Sequence, residues 1–255
     1  MRIYRSENPD ALGRAAARET ARRLTAAIEE YGGARLVVST GSSQFETLAA
    51  LVQEPVDWAR VTMFHLDEYL GMDDRHPASF RRYLHERLLD LVPVGRAVLV
   101  EGDAANVEQM LADLTRAIQE RPVDVGLIGI GQNAHVAFND PPADFDTRDA
   151  YRVVTLNDEC KRQQVGEGWF TDVSKVPPLA VSMTVHQILQ CRTIISAVPH
   201  AVKADAIFRT LTADESPWVP ATILRRHSDW ALYLDTQSAA KLDAVLSTQL
   251  SIHEV

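Results

Sequence analysis

Strand-length apolar clusters alternate with amphipathic helical stretches almost from end to end of this chain, and that rhythm restricts its fold more than any other feature. Asp10 to Glu30 reads as a helix, with Leu12, Ala16, Leu24, Ala27 and Ile28 near the helical period and Gly32-Gly33 as its stop. Arg35 to Ser39 then reads as a buried strand, Gln44 to Gln53 as a helix and Val61 to Leu66 as a second central strand. Pro77 to Asp90 carries Phe80, Tyr83, Leu84 and Leu88 on one helical face. Strand–helix pairs continue with Val98 to Val100 and Asn106 to Glu120, then a strand over Val123 to Ile130. Leu179 to Ser182, Thr193 to Val198 with Ala201 to Leu211, and Ala231 to Leu234 with Ser238 to Leu250 complete the series.

Strand followed by helix, repeated, predicts an α/β fold: a Rossmann-like, mainly parallel sheet with helices on both faces. No repeat, low-complexity tract or Pro/Gly/Ser-rich linker divides the 255 residues, so a single domain over 1–255 is expected. The least regular stretch, Asn157 to Val176, is polar and broken by Gly166 and Gly168; it reads either as a surface excursion or as a lid.

Composition narrows the partners. No run of about 18 apolar residues is present, so no membrane-spanning helix is expected. The segment Met1 to Leu12 holds Arg2, Arg5, Glu7 and Asp10 and lacks the apolar region of a secretory signal. Two cysteines, Cys160 and Cys191, form no CxxC, which favours a reducing, cytoplasmic setting. A formal charge of −9 with scattered Lys and Arg argues against nucleic acid as the main partner, yet leaves room for one phosphorylated small molecule.

Ligands of open parallel sheets bind beyond the carboxyl ends of the strands, and four clusters sit there. Ser39-Thr40-Gly41-Ser42-Ser43-Gln44 joins a strand to a helix, a geometry that presents free N–H groups to an anion. A plain strand–helix connection is the competing reading. His65-Leu66-Asp67-Glu68-Tyr69 ends another strand; adjacent carboxylates cannot both face the core, and one partly desolvated is a competent general base. A solvated acidic turn is the alternative, and a metal reading through His65 and Asp67 lacks a second ligand group.

The third cluster runs from Gly129 to Pro142. Gly129, Gly131 and Ala134 fit GxGxxA, but Pro141-Pro142 stops the long helix that a dinucleotide fingerprint must open. What remains is a glycine turn with His135 close to Asn139 and Asp140, which reads as an acid/base unit; a histidine hydrogen-bonded within a loop is the competing reading. In the fourth, Val198 to Lys203, the lysine lies about one turn into a helix, within reach of an anion held at the strand ends; an ordinary surface lysine is the competing reading, and the one this stretch favours when taken alone.

In this order, the clusters resemble those of the glucosamine-6-phosphate deaminases, in the wider group that includes 6-phosphogluconolactonases. Leu66-Asp67-Glu68-Tyr69 is similar to the family's Met-Asp-Glu-Tyr, and Gly129 to Pro141 to its Gly-x-Gly-x-Asp-Gly-His-x-Ala-Phe-Asn-Glu-Pro. Ala137 to Pro141 favours the deaminase over the lactonase. The resemblance implies release of ammonia from glucosamine 6-phosphate or a close amino sugar phosphate. Asp67 matches the base that moves a proton between C2 and C1, and His135 matches the histidine of ring opening with Asp140 as its partner. Asn133 is the third member of that catalytic group, while Glu68 and Gly131 are expected beside the substrate. Thr40, Gly41, Ser42 and Ser43 match the phosphate cradle, Lys203 a phosphate-binding lysine, and Asn157 to Val176 a mobile lid. No cofactor and no metal is required, and the family's hexamers leave a homo-oligomer open.

Three departures mark this chain. Asn133 stands where the family has aspartate, Ala134 where it has glycine, and Asp140 where it has glutamate. The lid arginine that binds phosphate in the family has no counterpart in register; Lys161 and Arg162 are only nearby. A lactonase, another phosphosugar isomerase and a sugar phosphate sensor without turnover are the alternatives.

Overall fold

The computed structural model describes residues 1–242 and 252–255. Its main body is an eight-stranded sheet, all of whose pairings are parallel. In chain order its strands are β1 (Arg2–Ser6), β2 (Ala34–Val38), β3 (Val61–His65), β5 (Arg96–Val98), β6 (Val125–Leu127), β9 (Thr193–Val198), β10 (Trp230–Asp235) and β11 (Ile252–Glu254). Across the sheet they run β11-β1-β10-β9-β6-β2-β3-β5.

Every residue of β2, β9 and β10 is buried, as a strand covered on both faces requires. Successive side chains still part to opposite sides: Leu36 and Val38 join one apolar cluster and Val37 the other. The first cluster is closed by α1 (Pro9–Tyr31) and α2 (Phe45–Leu51); the second by α4 (Val107–Gln119) and α6 (Ala204–Thr212). Helix α1 starts at Asn8, whose side chain accepts from the Ala11 N–H with Pro9 at the first turn, and stops at Gly32 with φ 79°. Ala15, Ala16, Ala17 and Ala21 let it lie close against the sheet.

A second, antiparallel sheet of order β4-β8-β7 caps the carboxyl ends of the parallel strands. It consists of β4 (Asp67–Tyr69), β7 (Tyr151–Thr155) and β8 (Leu179–Met183). Leu179 to Ser182 therefore belongs to this small sheet and not to the parallel series. The patterns of β1, β4, β7 and β11 are too short or too polar for periodicity to single them out. A third apolar cluster, with Tyr69, Phe80, Phe138, Leu156 and Phe170, lies beneath it.

The helix expected over Pro77 to Asp90 begins later, as α3 (Phe80–Leu84), and continues as a π-helical turn over His85–Leu89. Its delayed start follows from Ser79, whose hydroxyl caps the Arg82 N–H. Asn157 to Val176 contains α5 (Asp158–Gly166), capped by Asn157, and a short 3-10 turn over Val173–Lys175. The helix expected over Ser238 to Leu250 lies largely outside the described residues. No described helix is long and apolar enough to cross a membrane.

Candidate active site

Strands β3, β2, β6 and β9 are neighbours in the sheet, and each is followed by one of the four clusters. The chain thus gathers Asp67, the 39–43 loop, the 129–135 turn and Lys203 at a single edge. They line one cleft that encloses about 530 Å³, some of it open to solvent. Helix α5 closes its far wall with Gln163, Gln164 and, just past its end, Glu167.

Asp67 is 5% exposed and faces the cleft. Burial, with the neighbouring Glu68 carboxylate adding to it, lifts its pKa to about 8, against a small opposing contribution from the Phe138 N–H. When ionised, such a group is a stronger base than an ordinary carboxylate.

Glu68 does not line the cleft. Strand alternation turns it the other way, where it accepts from the N–H groups of Tyr69 (2.9 Å), Phe80 (3.2 Å) and Arg81 (2.9 Å) and from the Ser79 hydroxyl (2.8 Å). Its carboxylate ties β4 to the start of α3, so the expected contact with substrate is replaced by a structural one. His65 is likewise away from the cleft, fully buried, with Nδ1 accepting the Val100 N–H at 3.3 Å. Burial drives its pKa down to about 3, and Arg81 adds to the effect.

In the 129–135 turn, His135 reaches the cleft while Asn133 and Asp140 stand behind it. Nδ1 of His135 is 2.7 Å from Asn133 Oδ1 and 3.2 Å from Asp140 Oδ1. Both partners accept, which assigns the proton to Nδ1 and leaves Nε2 as the free nitrogen. The Asn133 amide also donates to Asp140 (3.1 Å) and accepts the His135 backbone N–H (3.1 Å). Burial pushes the Asp140 pKa up, but hydrogen bonding and charge from His135, aided by Asn133, outweigh it and hold the group below its ordinary range. Gly131 is fixed by close approach: a Cβ there would lie 2.2 Å from Cε1 of His135. Ala134 adopts φ 68°, the left-handed conformation for which glycine is the usual choice.

In the 39–43 loop, the N–H groups of Thr40 and Gly41 donate to nothing among the described residues, and Ser39 Oγ is buried without a partner. Gly41 has φ 104°, and its carbonyl accepts from Tyr83 Oη at 2.9 Å, which holds the loop open. Gln44, buried, braces the loop from behind by donating to Ser43 Oγ and to the Ala197 carbonyl, each at 3.1 Å. Ser42 is the loop member that does not reach the cleft. Lys203, in a 3-10 turn over Ala201–Lys203, is 5% exposed, and its ammonium makes no hydrogen bond or ion pair among the described residues. Burial lowers its pKa, and the charge of Glu167 works against that. Free N–H groups, an unpaired hydroxyl and an unpaired ammonium together describe an anion site.

Comparison with known proteins decides the family. Residues 7–233 match the family of glucosamine-6-phosphate isomerases/6-phosphogluconolactonase. The chain belongs to this family. The glucosamine-6-phosphate deaminase of Streptococcus thermophilus is 32% identical over 211 residues, covering 83% of this chain and 89% of that protein. A Streptococcus pneumoniae deaminase is 30% identical over 212 residues, covering 83% and 88%. Among solved structures of the isomerase/lactonase family, a monomeric glucosamine-6-phosphate deaminase superposes with a TM-score of 0.86 at 28% identity, covering 94% of this chain and 99% of its own. The 6-phosphogluconolactonase of Thermotoga maritima superposes at 0.75 with 16% identity, over 92% and 98%, a likeness of fold alone.

Within this family frame, the residues that sequence reading passed over are those of the far wall. Gln163, Gln164 and Glu167 lie 120 or more residues from the 39–43 loop they face, and no motif marks them. Spacing gave one clue: positions 163, 164 and 167 share a helical face.

Proposed function

We propose that the protein is a glucosamine-6-phosphate deaminase, an aldose–ketose isomerase that releases ammonia from glucosamine 6-phosphate or a close amino sugar phosphate. The observation that carries this is the pairing, in one cleft, of a buried carboxylate held ready as a base with an anion site. Both features of that cleft are needed: the anion site for the phosphate, the carboxylate for the reacting carbons.

In this reading Nε2 of His135 takes the proton of the C1 hydroxyl and returns one to the ring oxygen, opening the pyranose. Nδ1–H, held by Asn133 and Asp140, keeps the ring in that tautomer. The C1 aldehyde acidifies the C2–H bond. Asp67 removes that proton, giving an enolamine, and delivers it to C1. The resulting ketimine at C2 takes up water and expels ammonia, leaving the ketose phosphate. Remote phosphate binding by Thr40, Gly41, Ser43 and Lys203 orients C1 and C2 over Asp67. No step calls for a cofactor. The whole chain acts as one domain, with the segment from Asn157 to Val176 as the lid.

Ammonia release from glucosamine 6-phosphate by the purified protein, beside an Asp67→Asn variant, tests the reading. Ammonia from the wild type alone supports it. Binding without ammonia sinks it, and hydrolysis of 6-phosphogluconolactone by the same preparation would instead point to the lactonase reaction.

A further inference from the structure

The anion end of the cleft contains an anion of its own. Glu167 lines the cleft, and its Oε2 is 3.9 Å from the position a Cβ would take on Gly41, so the carboxylate overhangs the loop assigned to phosphate. It is not a wandering side chain. Gln163 Nε2 donates to Oε1 at 2.8 Å and Trp169 Nε1 to Oε2 at 3.2 Å. Trp169 is itself packed edge-on against Phe45 and Tyr83, and Tyr83 holds the Gly41 carbonyl. Loop, aromatic cluster and carboxylate thus form one connected unit.

Lys203 gives the second, independent observation. The residue is almost completely buried and lines the same cleft, and among the described residues its ammonium has no hydrogen-bond or ion-pair partner. With Glu167 fixed near by, the end of the cleft that takes the phosphate carries one positive and one negative side chain. Among the residues that line the cleft, no arginine and no second lysine adds to the positive side. A dianion entering there gains Lys203 and the loop N–H groups but meets Glu167, and like charges in a partly desolvated site repel strongly.

We propose that Glu167 is a built-in counter-anion: it balances Lys203 in the empty cleft and competes with an incoming phosphate, so that it sets the affinity for the phosphate group and discriminates among ligands by charge. The inference rests on the reading of this end of the cleft as a phosphate site. It makes Glu167 a specificity-determining residue, weakening the grip on dianions more than on monoanions.

Calorimetric binding of glucose 6-phosphate and of glucose 6-sulfate tests it. The two differ at pH 8 mainly in the second negative charge of the phosphate. Glu167→Gln keeps the shape and the contacts to Gln163 or Trp169 while removing charge; it is expected to bind the phosphate about tenfold tighter and the sulfate only about threefold tighter. Glu167→Ser, which removes both charge and bulk, should tighten the phosphate preferentially as well, and Glu167→Asp should stay near wild type. Weaker binding of both esters by Glu167→Gln, or an equal change for both, overturns the proposal and makes Glu167 an acceptor for sugar hydroxyls or a plain wall. Failure of every variant and of the wild type to bind either ester also overturns it. The outcome is separable from the deaminase reading. Absence of ammonia with the charge discrimination intact removes the reaction only, whereas ammonia without the discrimination removes the role of Glu167.

Discussion

The amide oxygen of Asn133 stands 2.7 Å from Nδ1 of His135, and the amide nitrogen of the same side chain stands 3.1 Å from Asp140. One residue therefore serves two neighbours with two different atoms, an acceptor for the imidazole and a donor for the carboxylate. An aspartate at 133 keeps the first contact and turns the second into an approach of two carboxylates. Asparagine at 133 is thus the complement of the short Asp140.

Asn133→Asp is accordingly expected to lower kcat/KM for ammonia release about tenfold near neutral pH, within the range of acid–base contributions, although it restores the family's residue. The exchange Asn133→Asp with Asp140→Asn should recover part of the loss, because one donor and one acceptor again face each other. Steady-state assays of the three proteins decide it; an Asn133→Asp enzyme as active as wild type refutes the complementarity.

Asp67 must be ionised to act, and its pKa is raised by burial to about 8. The pH profile of kcat/KM is therefore expected to rise through pH 7 and level off above about 8, with a slope that Asp67→Asn abolishes along with activity, by a factor on the order of 10² to 10⁴. Stability runs the opposite way. The folded state holds this proton while the unfolded state has released it, so the contribution is fully present below about pH 4 and is lost as pH rises toward 8. Glu68, also raised by burial, adds a fall of the same sign. Denaturant titrations from pH 4 to 9 should show a shallower decline for Asp67→Asn than for wild type.

Gly131→Ala introduces a Cβ where Cε1 of His135 now lies, 2.2 Å away. The imidazole must swing out of the cleft, while the backbone at 131, which has no positive φ, accepts alanine. The expected result is a loss of kcat/KM of about 10- to 100-fold, the scale of a misplaced acid–base group, with Tm within a few degrees of wild type. A fully active variant would show that the ring position is unimportant to turnover.

Glu68 and Asp67 are neighbours in sequence with different expected roles. Glu68→Ala leaves three backbone N–H groups and the Ser79 hydroxyl without their acceptor inside the protein. It should cost about 2–5 kcal/mol of stability, as for a broken buried charged network. Asp67→Asn should cost little or nothing. Equilibrium unfolding in urea separates the two, and equal losses would erase the distinction.

Much of this was legible in the chain. The alternation of apolar strand and amphipathic helix is a local pattern, and it located β2, β3, β9, β10, α1 and α4 to within a few residues. Thr40, Gly41, Ser43, Asp67, Gly131, His135 and Lys203 all follow parallel strands, and the cleft contains each of them. Strand ends are where an open sheet leaves backbone and side chains uncovered, so a motif at such a position carries information by its place alone.

The tertiary structure decided what no local pattern encodes. Which of two adjacent carboxylates enters the cleft depends on β4 pairing with β8, where Asp67 lies opposite Ser182, more than a hundred residues away. In the antiparallel sheet only β8 was legible as a strand; β4 and β7 announce themselves by no pattern, and all three are stabilised by pairing with one another across the chain. Ala134 takes a left-handed conformation that its side chain disfavours, because the turn that delivers His135 is held by surrounding contacts. Glu167 comes over Gly41, and into the same cleft as Lys203, only once helix α5 is laid across the strand ends. Sequence determined the scaffold and the residue types at its strand ends, since those follow from periodicity and turn chemistry. Long-range packing determined their directions, burial and charges, since those belong to the neighbours that folding brings together.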